Sequence, residues 1–152
     1  MSYNDVMLKP SEALEDLKKL QYKMDMFIKR VGDTELENVE SENNIEEALI
    51  RSQLATMVDK LDDVVRALKY LELEVVETGT LELNESDRLA LPSGFYYTSG
   101  NTIEIKYFDT GWNKDEWLIT SIEHTDGHYY ATALGRDIRI EGYTARRREP
   151  KY

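Results

Sequence analysis

Apolar residues in the first part of the chain recur every three or four positions. Ala13, Leu17, Leu20, Met24, Phe27 and Val31 follow a 4-3-4-3-4 spacing, the seam of a helix that packs on another helix. Pro10, Ser11 and Glu12 suit its first turn, with Ser11 as a cap, and Gly32 suits its end. A second seam runs through Leu54, Val58, Leu61, Val65 and Leu68, and Leu71 and Val75 carry it onward. With Asn43 or Asn44 as the cap, it predicts a helix of about 28–30 residues. Two matching seams and one connection predict an antiparallel helical hairpin of coiled-coil type, its seams read as core.

After Gly79 the period changes to two. Leu81/Leu83, Leu89/Leu91, Ile103/Ile105/Tyr107, Leu118/Thr120/Ile122, Tyr130/Thr132/Leu134 and Ile138/Ile140 alternate along short runs, and glycine-bearing turns separate them. Asp126-Gly127 predicts a two-residue hairpin with positive φ at both positions. Short antiparallel strands in this number predict a small closed barrel, which leaves no exposed edge. The expected fold class is therefore α+β: an acidic helical hairpin over 1–79, then a small β-barrel domain over 80–152.

The stretch Glu116-Trp-Leu-Ile-Thr-Ser-Ile-Glu123, the hairpin Asp126-Gly-His-Tyr-Tyr130 and the closing Ile138-Arg-Ile-Glu-Gly-Tyr-Thr-Ala-Arg146 resemble a family of small SH3-like barrels. Its members are uncharacterised proteins of conjugative elements and phages of Gram-positive bacteria. The resemblance covers roughly residues 80–148 and brings no activity or functional residues with it. It implies a mobile-element setting, in which small acidic proteins block host defence enzymes.

Charge sharpens this picture. The chain has 19 basic and 30 acidic residues, net −11. Residues 1–79 hold 18 acids and 10 bases, net −8, so the acidity belongs mainly to the helical half. Such a surface repels nucleic acid and anionic membranes and favours basic proteins. The connection from Asp33 to Glu42 carries five carboxylates, Asp33, Glu35, Glu37, Glu40 and Glu42, and no base. Its plain reading is a solvated loop; its functional reading is a comb of carboxylates standing where phosphates would lie in a cationic groove. Glu46, Glu47, Asp59, Asp62 and Asp63 extend the acidic surface along the second helix. Ten aromatic residues fall between Phe95 and Tyr143, more than a small barrel can enclose. Tyr96, Tyr97, Trp112, Trp117 and Tyr129 are the expected aromatic contacts to a partner.

Reactive chemistry is sparse. The chain has no cysteine, hence no disulfide and no thiolate site. It shows no phosphate-binding glycine loop, dinucleotide fingerprint or nucleophile elbow. His124 and His128 flank the expected hairpin turn, where 124 faces 129 and 125 faces 128, so the two rings project from opposite faces and do not share a metal. Asp87, Glu104 and Lys106 resemble the Asp…Glu-x-Lys set of metal-dependent nucleases, although alternating Glu and Lys is ordinary on the exposed side of a strand. Arg146-Arg147-Arg148 can hold a phosphate or an acidic strip; the plainer expectation is a solvated chain end, paired at most with the acidic hairpin.

These readings converge on a non-enzymatic, cytoplasmic binding protein without metal or cofactor, with no apolar run long enough to span a membrane and no signal-peptide pattern. The expected partner is a basic protein, such as a nucleic-acid-binding defence effector inhibited by nucleic-acid mimicry in the anti-CRISPR or anti-restriction manner. The alternative is an adaptor that forms a homodimer through the hairpin seams and captures a peptide with the barrel. A metal-dependent nuclease is the remote third.

Overall fold

The computed structural model describes residues 7–41 and 44–151. The chain divides into two compact units, Met1–Glu72 and Leu73–Tyr152. The first contains α1 (Pro10–Lys18), α2 (Gln21–Val31), a single 3₁₀ turn at Asp33–Glu35, and α3 (Ile45–Glu72). The second contains β1 (Glu74–Thr80), β2 (Glu82–Leu83), β3 (Leu89–Ala90), β4 (Thr102–Asp109), β5 (Lys114–Thr125), β6 (His128–Ala131) and β7 (Thr144–Glu149).

In the helical unit, the single first helix that the seam predicts is two helices. The break falls at Lys19–Leu20, where no glycine or proline stands; Leu20 N–H donates to the Leu17 carbonyl at 3.0 Å, tightening the last turn of α1. Ser11 does not cap α1: Glu12 Oε1 accepts the Lys9 N–H at 2.9 Å and takes that role. Asn44 caps α3, its side-chain oxygen accepting the Glu46 and Glu47 N–H groups at 2.8 and 3.2 Å; Asn43 lies outside the described residues. Ile28, Val31, Leu36, Val58 and Val65 form the core of this unit, with Met24, Val39, Leu54, Ala55 and Leu61 packed against it. Asp25 of α2 meets Lys69 of α3 at 3.4 Å, and Arg51 of α3 donates to the Leu36 carbonyl at 3.3 Å. No helix among the described residues is long and apolar enough to cross a membrane.

The second unit is an antiparallel sheet of order β1-β7-β4-β5-β6, with β2 and β3 pairing separately. The sheet does not close into the expected barrel: β1 and β6 are its two edges. Val75, read from the seam as a continuation of the long helix, instead belongs to β1. Glu74-Val-Val-Glu-Thr-Gly-Thr80 is rich in β-branched residues, which favour a pleated strand over a helix. The register of β1 on β7 shifts between Val75 and Glu77, leaving Val76 as the extra residue of a bulge. Ile138/Ile140 is not a strand either; Ile140 is buried from a loop and Ile138 is exposed.

The core lies on one face of the sheet. Ile103, Ile105, Ile122, Tyr129, Ala131 and Ala145 line that face, and Leu81, Leu89, Leu91, Tyr97 and Ile140 cover it. The β5–β6 register is the one the hairpin signal predicts, His124 opposite Tyr129 and Thr125 opposite His128. The turn differs in one respect: Gly127 has φ +86° and Asp126 does not join it at positive φ.

Candidate functional site: an anchored acidic turn

The connection after α2 is a folded turn rather than a loose comb. Gly32 ends α2 at φ +85°, and Asp33 and Leu36 follow at φ +61° and +53°. Left-handed backbone at two non-glycine residues is uncommon and persists where surrounding contacts impose it. Those contacts are present. The Leu36 side chain is only 1% exposed, inserted in the core of the helical unit. Glu37 and Asn38 N–H groups donate back to the Gly32 and Val31 carbonyls at 3.2 and 3.1 Å, and Asn38 Nδ2 donates to the Arg30 carbonyl at 3.2 Å. A Cβ on Gly32 would stand 2.6 Å from the Asn38 nitrogen, so the close approach demands glycine.

With Leu36 pointing inward, its acidic neighbours point outward. Asp33, Glu35, Glu37 and Glu40 are all exposed, and none forms an ion pair among the described residues. Glu42 lies outside the described residues. Beside the turn is a groove of about 740 Å³ lined by Phe27, Val31 and Val39, with Arg30, Glu40 and Glu47 among its polar residues. The turn carboxylates and the start of α3, with Glu46 and Glu47, therefore belong to one neighbourhood. Asp59, Asp62 and Asp63 lie further along α3, about 20–26 Å from Glu46 at ~1.5 Å per residue. Asp59 and Asp63 are exposed, and Asp62 is held by Arg66 at 2.8 Å.

The aromatic set separates. Tyr97 and Tyr129 are buried in the sheet core, where Tyr97 meets Phe95 edge-on and Tyr129 meets His124 edge-on, so neither offers a surface. The Tyr96-Tyr97 pair divides: Tyr97 points inward, and Tyr96, in an isolated bridge with Ala90 rather than in a strand, is exposed. Trp112, at the β4–β5 turn, is 75% exposed. Trp117 is half-buried, with the Lys106 ammonium 5.4 Å and the Arg146 guanidinium 4.3 Å from its ring centre.

A further group of functional-looking residues is structural. Glu104 is 1% exposed, the one buried charged residue among those described. Arg146 Nε donates to its Oε2, and Arg148 Nε to its Oε1 at 2.7 Å. Burial raises the Glu104 pKa, but the hydrogen bonds and charges of Arg146 and Arg148 outweigh it and hold the carboxyl below the usual range. With both oxygens engaged by arginine, Glu104 is not free to hold a metal. Lys106 rests by Trp117, and Asp87 sits in the turn between β2 and β3 at φ +57°. Within the Asp…Glu-x-Lys spacing, Glu104 is thus an ion-pair partner of its own sheet.

The arginine cluster is likewise no solvated chain end. It lies in β7, between β1 and β4, and period two sends Arg146 and Arg148 to Glu104 on one face and Arg147 to the other. There Arg147 Nε meets Glu77 Oε1 at 3.1 Å and its Nη1 meets Glu149 Oε1 at 2.5 Å, with the guanidinium carbon 4.6 Å from the Phe95 ring centre. Three arginines after Thr144-Ala145, matched by Glu77 and by Ile-Glu-Ile at 103–105, were the sequence signal for this network.

No curated protein and no solved structure matches the chain. Residues 79–147, which hold β2 to β6, the end of β1 and most of β7 and are just under half of the sequence, match the model of a family described as a domain of unknown function, DUF5348.

Proposed function

We propose that this chain is a non-enzymatic acidic binding protein that occupies a basic surface of another protein. The finer reading is an antiparallel helical hairpin that presents carboxylates where a nucleic acid would present phosphates. It would inhibit a host defence protein on behalf of a phage or other mobile element, with an SH3-like module as its second half. The observation that carries this reading is the acidic turn: four exposed carboxylates, Asp33, Glu35, Glu37 and Glu40, without an ion pair among the described residues, on a backbone fixed by buried Leu36. Charges held in place by the fold lose little freedom on binding, which favours affinity. Opposite-charge steering speeds association by about 10–10³-fold and fades with salt. Tyr96 and Trp112 are the aromatic residues open to add apolar contact.

The test is affinity capture from a host lysate at low and high salt. It compares the wild-type chain with a variant carrying glutamine at positions 35, 37, 40 and 42. The expected result is a basic protein retained at low salt by the wild type and lost by the variant. A partner captured equally by both, with equal salt dependence, would sink the charge-mimic reading.

A second reading, a self-associating adaptor, is favoured by exposed apolar residues along α3. The predicted seams do not serve it, because Val58, Val65 and Leu68 are buried within the chain.

A further inference from the structure

The groove beside the acidic turn is built from α2, the turn and the start of α3. Phe27, Val31 and Val39 give it an apolar floor, Glu40 and Glu47 supply carboxylates, and Arg30 a cation. Val31 and Val39 are held by the core of the helical unit, which fixes the floor. Phe27 differs, its ring remaining 40% exposed. Glu47 stands in the first turn of α3, where Asn44 accepts its N–H at 3.2 Å, and Glu40 follows directly on the packed Val39. Neither carboxylate, nor Arg30, is in an ion pair among the described residues.

An exposed ring and two carboxylates around one concave floor suit a particular cation. A guanidinium is planar and weakly hydrated, so it stacks on a ring while its forked N–H groups donate to acceptors at the edge. An ammonium is compact and strongly hydrated, and it gains less from the ring. The charge around the groove has the matching sign. Lys23 lies one helical turn before Phe27, and Arg51 one turn after Glu47, but Arg51 is engaged by the Leu36 carbonyl at 3.3 Å. With Arg30 these make three cations among six carboxylates, the four of the turn together with Glu46 and Glu47. That excess repels an acidic occupant and draws a basic one.

We propose that the groove receives an arginine side chain of the partner, its guanidinium stacked on Phe27 and donating to Glu40 and Glu47. The inference rests on the charge-mimic reading and names the residue that this site takes. It also gives Arg30 a definite effect. As the cation in the lining, Arg30 opposes a basic occupant and favours an acidic one, so the sign of its contribution reports the charge of what binds.

Two dye-labelled peptides, arginine alternating with alanine and lysine alternating with alanine, test this by anisotropy against the full chain at low and high salt. The arginine peptide is expected to bind about tenfold more tightly. Phe27→Leu keeps an apolar floor and removes the ring. It is expected to bring the two peptides to equal affinity, with helical circular dichroism unchanged. Glu40→Gln combined with Glu47→Gln weakens the arginine peptide more than the lysine peptide, and Arg30→Gln tightens it. Equal affinity of the wild type for both peptides overturns the proposal. So does an arginine preference that survives Phe27→Leu, or weaker binding by Arg30→Gln. The two readings fail differently. If both peptides bind equally and release with salt, the groove assignment falls and the charge-mimic reading stands; if neither binds at low salt, both fall.

Discussion

Glu104 shows how one buried charge organises the second unit. Its two oxygens are divided between Arg146 and Arg148, and Arg148 reaches on to the Leu73 carbonyl at 2.9 Å. Replacing Glu104 with alanine would leave two guanidinium groups facing each other with no counter-charge. Breaking a buried pair this way costs about 3–5 kcal/mol. Trp112 and Trp117, the only tryptophans, both lie in the second unit, so denaturant unfolding followed by tryptophan fluorescence reads that loss directly. Acid should act on the same bonds. Ser93 hydrogen bonds and Arg147 hold Glu77 below the ordinary glutamate value of 4.5, as Arg146 and Arg148 hold Glu104 against burial. A depressed folded-state pKa contributes stability that is present above 4.5 and lost as pH falls through the lowered values. Fluorescence-monitored stability should therefore fall below pH 4.5, and Glu104→Gln should flatten that dependence. This network was only half legible in the sequence. The alternating Glu-x-Lys pattern placed Glu104 on the right strand, but the same alternation suits an exposed face. What buries it is pairing with a strand forty residues away, which local periodicity does not encode.

At the scale of elements, the acidic turn depends on two residues that carry no charge. Gly32→Ala would force a Cβ against the Asn38 nitrogen at positive φ. A loss of about 1–2 kcal/mol or more is expected. Leu36→Ala should cost about 2–5 kcal/mol, as truncation of a buried leucine does. Thermal melts of helical circular dichroism test both. If both melt like the wild type, the turn is not held as described. The sequence reading expected a solvated run here, because five carboxylates dominate its composition. Leu36 and Val39 were the counter-signal, apolar residues with no surface reason to be there. The helices themselves were more legible: α3 and the stop at Gly32 follow from spacing and chemistry. The break at Lys19–Leu20 carries no proline or glycine to announce it. The last turns of the long seam misled differently, since Val75 fits a helical spacing while its neighbours Val76, Thr78 and Thr80 favour a strand.

For the whole molecule, the change from a period of three to four to a period of two separates helices from sheet, and net charge follows the same division. Closure was not legible. Strand count and turn signals describe a barrel and an open sheet equally, and only the order β1-β7-β4-β5-β6 distinguishes them. An open sheet exposes the backbone donors and acceptors of its outer strands, and β1 is one of them. Along it the register slips at Val76, so a foreign chain laid beside β1 would find the ladder out of step, with Glu74 repelling acidic neighbours. Deleting Val76 would make that ladder regular. Such a variant should seed fibrils, detected by dye binding, under conditions where the parent stays clear; the irregularity is then what prevents strand-by-strand templating from the molecule's own rim.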